Sequence, residues 1–488
     1  MDIMFKSTRG DKNYVTASQA IVKGIADDGG LFVPESVPKI DFDLGKITSF
    51  SYRELAYRVL RLILTDFTEE ELRYCIDSAY DEKFDTPVIA PLAKAGSARF
   101  LELFHGRTIA FKDMALSILP YLLKTAAKKN GVSEEIVILT ATSGDTGKAA
   151  LEGFADVEGT RIIVFYPEDG VSDVQKAQMV TQKGANTCVA AIKGNFDDAQ
   201  TAVKKIFTDN DLKAELKKNG FVFSSANSIN IGRLAPQIVY YFYAYAQMVE
   251  NNDIKMGDKI NFTVPTGNFG NILAGYYAKL MGLPVNKLIC ASNDNKVLFD
   301  FLTTGDYDIN RKFIVTVSPS MDILISSNLE RLLYHISGSV EKTAELMSGL
   351  SNGGKYTFKI DGDFVGEYAT IQDTFDAIYK LYSETGYVMD THTAVAYSAY
   401  EKYVKQSGDN TANVIVSTAS PYKFAKDVLR AIDNKYDGID PFEALEVLSD
   451  VSETDIPAPI KDIDKREVIH KTVIDKADIK DFVKGRLN

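Results

Sequence analysis

Residues 136–166 read IVILTATSGDTGKAALEGFADVEGTRIIVFY, and this stretch decides the fold. Ile136 to Thr142 is an apolar, β-branched run of strand length. Ser143-Gly-Asp-Thr-Gly147 is a tight glycine-rich turn, Lys148 to Val157 keeps helical spacing, and Arg161 to Tyr166 is a second buried strand. A strand, a helix and a parallel strand in succession make a βαβ unit, whose sheet carries helices on both faces. The same grammar recurs at Lys259 to Pro265, Thr266-Gly-Asn-Phe-Gly-Asn271, the helix Ile272 to Met281 and the strand Lys287 to Ala291. Asn413 to Thr418 is a further short strand. The fold class is α/β, with parallel sheets and two α/β domains behind a small N-terminal one.

In that N-terminal region, Leu55, Val59, Leu62 and Ile63 keep helical spacing, and Thr68 with Glu71 forms a capping box for the next helix. Pro87 and Pro91 mark the passage onward. The boundaries expected are 1–96 for the N-terminal domain, 97–129 with 253–488 for a large domain, and 130–252 for a small mobile one. The segment from Asn434 onward reads as mostly helical and carries no chemistry.

The 488 residues hold 45% hydrophobic and 25% charged side chains, ordinary for a globular protein with ample core. A net charge of −12 argues against nucleic acid as the main partner. The densest apolar run, Ile238 to Ala246, is far short of the ~20 residues that span a bilayer, and the start lacks a secretory core. A cytoplasmic protein is expected. The three cysteines, Cys75, Cys188 and Cys290, lie far apart in apolar patterns, and the four histidines show no ligand spacing. Neither a disulfide framework nor a metal site follows.

A glycine-rich turn at a helix start gathers unpaired N–H groups at the positive end of the helix dipole and suits a phosphate or carboxylate. Two such turns, each after a buried strand, face one crevice at the carboxyl ends of the strands. Neither matches Gly-x-Gly-x-x-Gly or a P-loop, which disfavours dinucleotides and nucleotide triphosphates. One phosphate-bearing cofactor and one anionic substrate fit better. In His105-Gly-Arg-Thr-Ile-Ala-Phe-Lys-Asp113, Lys112 stands at a strand-to-helix junction, with Asp113 placed to cap the helix. An amine there is most economically paired with an aldehyde cofactor, pyridoxal phosphate. A polar run, Ser224-Ser-Ala-Asn-Ser-Ile-Asn-Ile-Gly-Arg233, adds Arg233 for bidentate anion binding and Asn227 and Ser228 as neutral donors.

On these residues the chain closely resembles threonine synthases, of the tryptophan-synthase-β-like class of pyridoxal phosphate enzymes. Matching motifs run from Ser7-Thr-Arg-Gly10 and Gly24 to Pro34, through His105 to Asp113, Ala141 to Gly147, Asn227 to Arg233 and Thr266 to Asn271. They continue to Ser318-Pro-Ser-Met-Asp322, Asp390-Thr-His-Thr-Ala394 and Ser417-Thr-Ala419. The resemblance implies that Lys112 carries the cofactor as a Schiff base. It implies that Gly267, Asn268, Phe269, Gly270 and Asn271 line the cofactor's phosphate loop and that Thr418 stands beside its ring nitrogen. Thr142, Ser143, Asp145 and Thr146, with Asn227 and Arg233, match positions that hold the substrate. Asp145 stands where related enzymes carry asparagine against the cofactor's phenolic oxygen, and Asn227 is an alternative for that contact. The implied substrate is O-phospho-L-homoserine, converted with water to L-threonine and phosphate. Ser420 replaces a histidine common before Pro421, so an imidazole is missing there; His105 and His392 read as structural. Alternatives are a phospholyase releasing 2-oxobutyrate, a serine or threonine dehydratase, and a non-catalytic sensor. The oligomeric state, monomer or homodimer, stays open.

Overall fold

The computed structural model describes residues 2–142, 144–169, 171–360 and 362–487, with every side chain in those ranges except that of Asp197. Residues 136–166 form strand Glu135–Ala141, helix Asp145–Phe154 and strand Thr160–Pro167. The two strands pair in parallel, from Ile136 opposite Thr160 to Ala141 opposite Phe165. Thr187–Lys193 extends this sheet on one side and Phe221–Ser224 on the other, both in parallel. Near-continuous burial along the two central strands is what a sheet covered on both faces requires.

The helix starts at Asp145, three residues before the position expected from composition. Glycines delay a helix in propensity terms, but Thr142 Oγ1 accepts from the N–H groups of Gly144 (3.0 Å) and Gly147 (2.9 Å). Two donors that a helix start leaves unpaired are thereby satisfied, and Asp145 enters the first turn.

The second sheet has six strands, in the order Phe364–Tyr368, Val285–Ser292, Ile260–Pro265, Asn413–Ser417, Ala98–Glu102, Leu92–Ala95. The first five run parallel; the last closes an antiparallel hairpin. Helix Ile231–Glu250 is buried along nearly its whole length and packs on helices Tyr52–Leu60 and Gly270–Met281. A helix apolar on all sides is an interior element. In the N-terminal region the Thr68–Glu71 capping box forms as expected, Thr68 Oγ1 accepting from Glu71 N and Glu71 Oε2 from Thr68 N. Among the described residues no helix is long and apolar enough to cross a membrane.

The C-terminal segment departs from expectation. It contains strand Thr472–Asp475, which pairs in parallel with Thr187–Lys193 and so joins the five-stranded sheet, not the six-stranded one. Helix Ile479–Leu487 follows, and its Ile479, Val483 and Leu487 pack with Val137, Leu139, Ile163 and Phe165. Four alternating residues in a charged context fell below the length at which a strand pattern stands out.

His105 is the pivot of an ion cluster behind the Lys112 loop. Its Nδ1 lies 2.6 Å from Asp85 Oδ1 and its Nε2 3.0 Å from Glu102 Oε2. Burial alone would push the imidazole down, but the two carboxylates outweigh it and raise the pKa to about 9. A raised histidine pKa contributes stability that is fully present below the unfolded value of ~6.5 and is lost as pH rises through about 9. His105→Asn is therefore expected to be destabilised most at pH 6, by about 3 kcal/mol at most, with the gap from wild type closing by pH 10. Urea midpoints of both proteins across that range measure it; a gap independent of pH would remove the charge from the explanation.

Candidate active site

After strand Ala98–Glu102 the chain turns through Gly106, and Ala110 forms an antiparallel bridge with Ala419. Phe111 N donates to Thr418 O (2.8 Å) and Ser420 N to Ile109 O (3.0 Å). These bonds tie the Lys112 loop to the end of strand Asn413–Ser417 and set Lys112 and buried Thr418 side by side in the chain path. The expected cap is corrected here. Lys112 itself occupies the N-cap position of helix Asp113–Leu116, without a side-chain cap. The Asp113 carboxylate turns back to accept from Thr108 N (2.7 Å) and Thr108 Oγ1 (2.6 Å). Burial raises its pKa to about 6. Gly106 is required beside it, because a Cβ there would fall 2.4 Å from Asp113 Oδ2.

The Lys112 amine is half-buried, 3.2 Å from Ser320 Oγ, 3.5 Å from Asp145 Oδ2 and 5.8 Å from the centre of the Phe111 ring. Burial pushes its pKa down; Asp145 opposes this, while the Lys423 and Arg233 cations add to it. A depressed pKa makes an amine available as a base near neutral pH. Asp145 collects four donors. Its Oδ1 accepts from Gln175 Nε2 (2.7 Å) and faces Lys423 Nζ (3.0 Å); its Oδ2 accepts from Ser320 Oγ (3.0 Å) and faces Lys112. Burial would raise this carboxyl, but Lys423 and Lys112 hold it well below the usual range. It is an anion at any working pH.

The loop that carries Ser320 is held from below by His392. Ser320 N donates to His392 Nε2 (3.1 Å), so the ring proton sits on Nδ1, 2.9 Å from Asp390 Oδ1. Lys423, fully buried and also donating to Thr108 O (2.9 Å), was not singled out by sequence reasoning; nor were Ser320 and Gln175. Ser320 lies inside the Ser318–Asp322 motif. The signal for Lys423 was only its place three residues beyond Ser420.

Gly267 to Asn271 link strand Ile260–Pro265 to helix Gly270–Met281. Their five backbone N–H groups donate to no protein acceptor among the described residues. A Cβ at Gly267 would fall 2.6 Å from Ser320 O, so only glycine lets this loop lie against the Ser320 loop. Phe269 takes a left-handed conformation (φ 63°) with its ring buried. Asn271 Nδ2 is buried without a partner among the described residues. A loop built this way could hold a phosphate.

Arg233, in the first turn of helix Ile231–Glu250, is buried. Nη1 donates to Ala226 O (3.0 Å), Nε has no partner, and no carboxylate faces the guanidinium among the described residues. Burial lowers its pKa to about 10. Asn227 is exposed, and its side chain makes no bond into the site among the described residues. Thr146 is half-buried on the first turn of its helix, and the Thr142 hydroxyl is engaged by the turn. Ser143 lies outside the described residues. The structure thus gathers Lys112, Asp145 and Arg233, ties Thr418 to the lysine loop, and sets the glycine loop against Ser320.

A half-buried lysine of depressed pKa, a glycine loop with five free N–H groups suited to a phosphate, and a hydroxyl residue at a neighbouring strand end fit pyridoxal phosphate and define the class of enzymes that use it. Comparison with known proteins agrees. The family described as "Pyridoxal-phosphate dependent enzyme" matches residues 100–419, "Threonine synthase N terminus" residues 4–80, and "Threonine synthase, C-terminal" residues 393–483. Threonine synthase of Saccharomyces cerevisiae is 35% identical over 88% of this chain and 89% of its own length. A crystal structure of threonine synthase from yeast superposes with a TM-score of 0.87 at 32% identity, covering 100% of this chain and 98% of that one. The pyridoxal-phosphate-bound threonine synthase of Brucella melitensis gives 0.86 at 34% identity, covering 100% of both chains. Threonine synthase-like 1 of Macaca fascicularis is 41% identical over 86% of this chain, which spans 58% of that protein's length. The chain belongs to the threonine synthase family of pyridoxal-phosphate dependent enzymes.

Proposed function

We propose that this protein converts O-phospho-L-homoserine and water into L-threonine and phosphate. The observation that carries the reading is Arg233: a buried guanidinium with no counter-ion among the described residues, near enough to Lys112 to depress its amine. Maintaining an unpaired buried cation is costly and is explained by an anion that arrives from outside. The glycine loop already provides for the cofactor's phosphate, so a second anion, the substrate's own phosphate, is what Arg233 serves.

Pyridoxal phosphate, when bound, supplies an electron sink that acidifies the carbon next to the amino group. The protein's own groups do the rest. Lys112 Nζ takes the α proton and delivers protons to neighbouring carbons. Asp145 and the Ser320 hydroxyl stabilise the ammonium that results, while Lys423 and Gln175 keep the carboxylate aimed at it. Asp145, Thr142, Thr146 and Asn227 belong to the five-stranded-sheet unit around 130–252, whose movement toward the six-stranded sheet would exclude water until the phosphate has left. We place this chemistry in the cytoplasm.

The test is incubation of cofactor-loaded protein with O-phospho-L-homoserine, measuring phosphate, threonine and 2-oxobutyrate together. Phosphate and threonine in equal amounts are expected. Phosphate with 2-oxobutyrate would keep Arg233 as the anion site but make the protein a phospholyase; no phosphate release would overturn the substrate.

A further inference from the structure

Helix Ile231–Glu250 carries adjacent tyrosines, Tyr240 and Tyr241, both fully buried. Both hydroxyls converge on one atom. Tyr240 OH and Tyr241 OH each lie 2.7 Å from Asn271 Oδ1, and their rings sit 5.0 Å apart. Each has another acceptor within reach at longer range, Gln237 Oε1 at 3.1 Å and Asn271 O at 2.9 Å. Two hydroxyl donors facing one side of an amide select its oxygen for that side. The amide nitrogen is then on the other side of the group, and it is this Nδ2 that is buried with no protein partner among the described residues. Asn271 is the second residue of the helix that starts at the glycine loop.

We propose that Tyr240 and Tyr241 are positioning residues for the cofactor: they fix the Asn271 amide so that Nδ2 adds a side-chain donor to the five backbone N–H groups of the phosphate cradle. A carbonyl oxygen turned the other way would face an anion at close range and repel it. The unpaired Nδ2 is thus accounted for by a ligand, as a buried donor left without one is expected to be. The arrangement also lets a neutral side chain contribute to anion binding without a further buried cation. Gln237 extends the network, its Nε2 donating to Arg233 O at 2.7 Å, so the same helix carries the residue that serves the second anion.

The experiment compares Tyr240→Phe, Tyr241→Phe, the double variant and Asn271→Asp with wild type and with Tyr245→Phe. Tyr245 is a matched control, since its ring is buried on the same helix while its hydroxyl donates to Asp258 O at 3.1 Å and not to Asn271. For each protein the apo and pyridoxal-phosphate-loaded melting temperatures and the cofactor dissociation constant are measured. The double variant is expected to bind cofactor about tenfold more weakly, from the loss of orientation in one hydrogen bond to a charged group, and to lose part of the melting-temperature rise on loading. Asn271→Asp, which places an anion beside the phosphate, is expected to lose more. Tyr245→Phe should lower apo and holo temperatures alike and leave the dissociation constant unchanged. If the double variant lowers both temperatures equally, with wild-type cofactor affinity, the tyrosines are core residues only and the proposal is overturned. Should the double variant not fold, the single variants and Asn271→Asp decide on the same two readouts.

Discussion

Replacement of Lys112 by alanine is expected to reduce turnover by about 10²–10⁴-fold or more while leaving a folded protein that still binds pyridoxal phosphate. The lower figure is what loss of a positioned acid–base group costs by itself; loss of the covalent attachment point adds to it. Folding should survive because the partner left behind is not orphaned. Asp145 keeps Gln175, Lys423 and Ser320 as partners when the amine is gone. The amine also carries a depressed pKa, set first by desolvation, so deleting it removes a group whose charged form the site disfavours. Three measurements separate chemistry from structure: steady-state rates, retention of cofactor through gel filtration, and rescue by added small alkylamines. Partial rescue by an amine that fits the vacated volume would show that the missing element is a nitrogen base. Turnover at the wild-type level would remove Lys112 from the mechanism.

The parts that were legible in the sequence are those governed by local rules. Strand Ile260–Pro265, the loop Gly267–Asn271 and its helix follow from a β-branched run, glycines and an apolar helical pattern in immediate succession, and the structure differs by two residues at most. Cap chemistry was readable at Thr68 for the same reason. It failed at Asp113, which has an N-cap composition but a tertiary partner, Thr108, that outbids the helix end. The environment of Lys112 was hidden for a different reason. Asp145, Gln175, Ser320 and Lys423 are up to 278 positions apart in sequence (145 against 423) and meet only because two sheets bring their strand ends together. No local pattern marks Lys423 as buried, and lysine is among the residues least expected to be. The unpaired state of Arg233 was equally unreadable: composition offers 67 acidic residues as partners, and only the fold shows that none of the described ones faces it.

That unpaired state leads to an expected result of opposite sign in two assays. Arg233→Met should leave the substrate-free holoenzyme as stable as wild type or more so, and should weaken the substrate. Methionine fills a comparable volume without a charge, and replacing buried ionic groups by apolar ones of similar size is neutral or stabilising by about 1–4 kcal/mol. The one bond it forfeits, Nη1 to Ala226 O, offsets part of that gain. Against the phosphorylated substrate the balance reverses. Each hydrogen bond from a charged donor to an anion is worth about 1.5–3 kcal/mol, or ten- to a hundredfold in binding, so KM is expected to rise by at least that factor. Inhibition by inorganic phosphate should weaken in parallel, since in the proposed reaction product and substrate phosphate would share the guanidinium. Arg233→Lys keeps the charge and loses the planar fork, and should fall between the two in affinity. A pattern of lower stability with unchanged KM would mean that Arg233 is a structural cation whose partner is the Ala226 carbonyl alone. Higher stability with a raised KM would mean that the fold carries a strained cation in order to hold an anion, the trade of stability for function seen where a site is kept ready for its ligand.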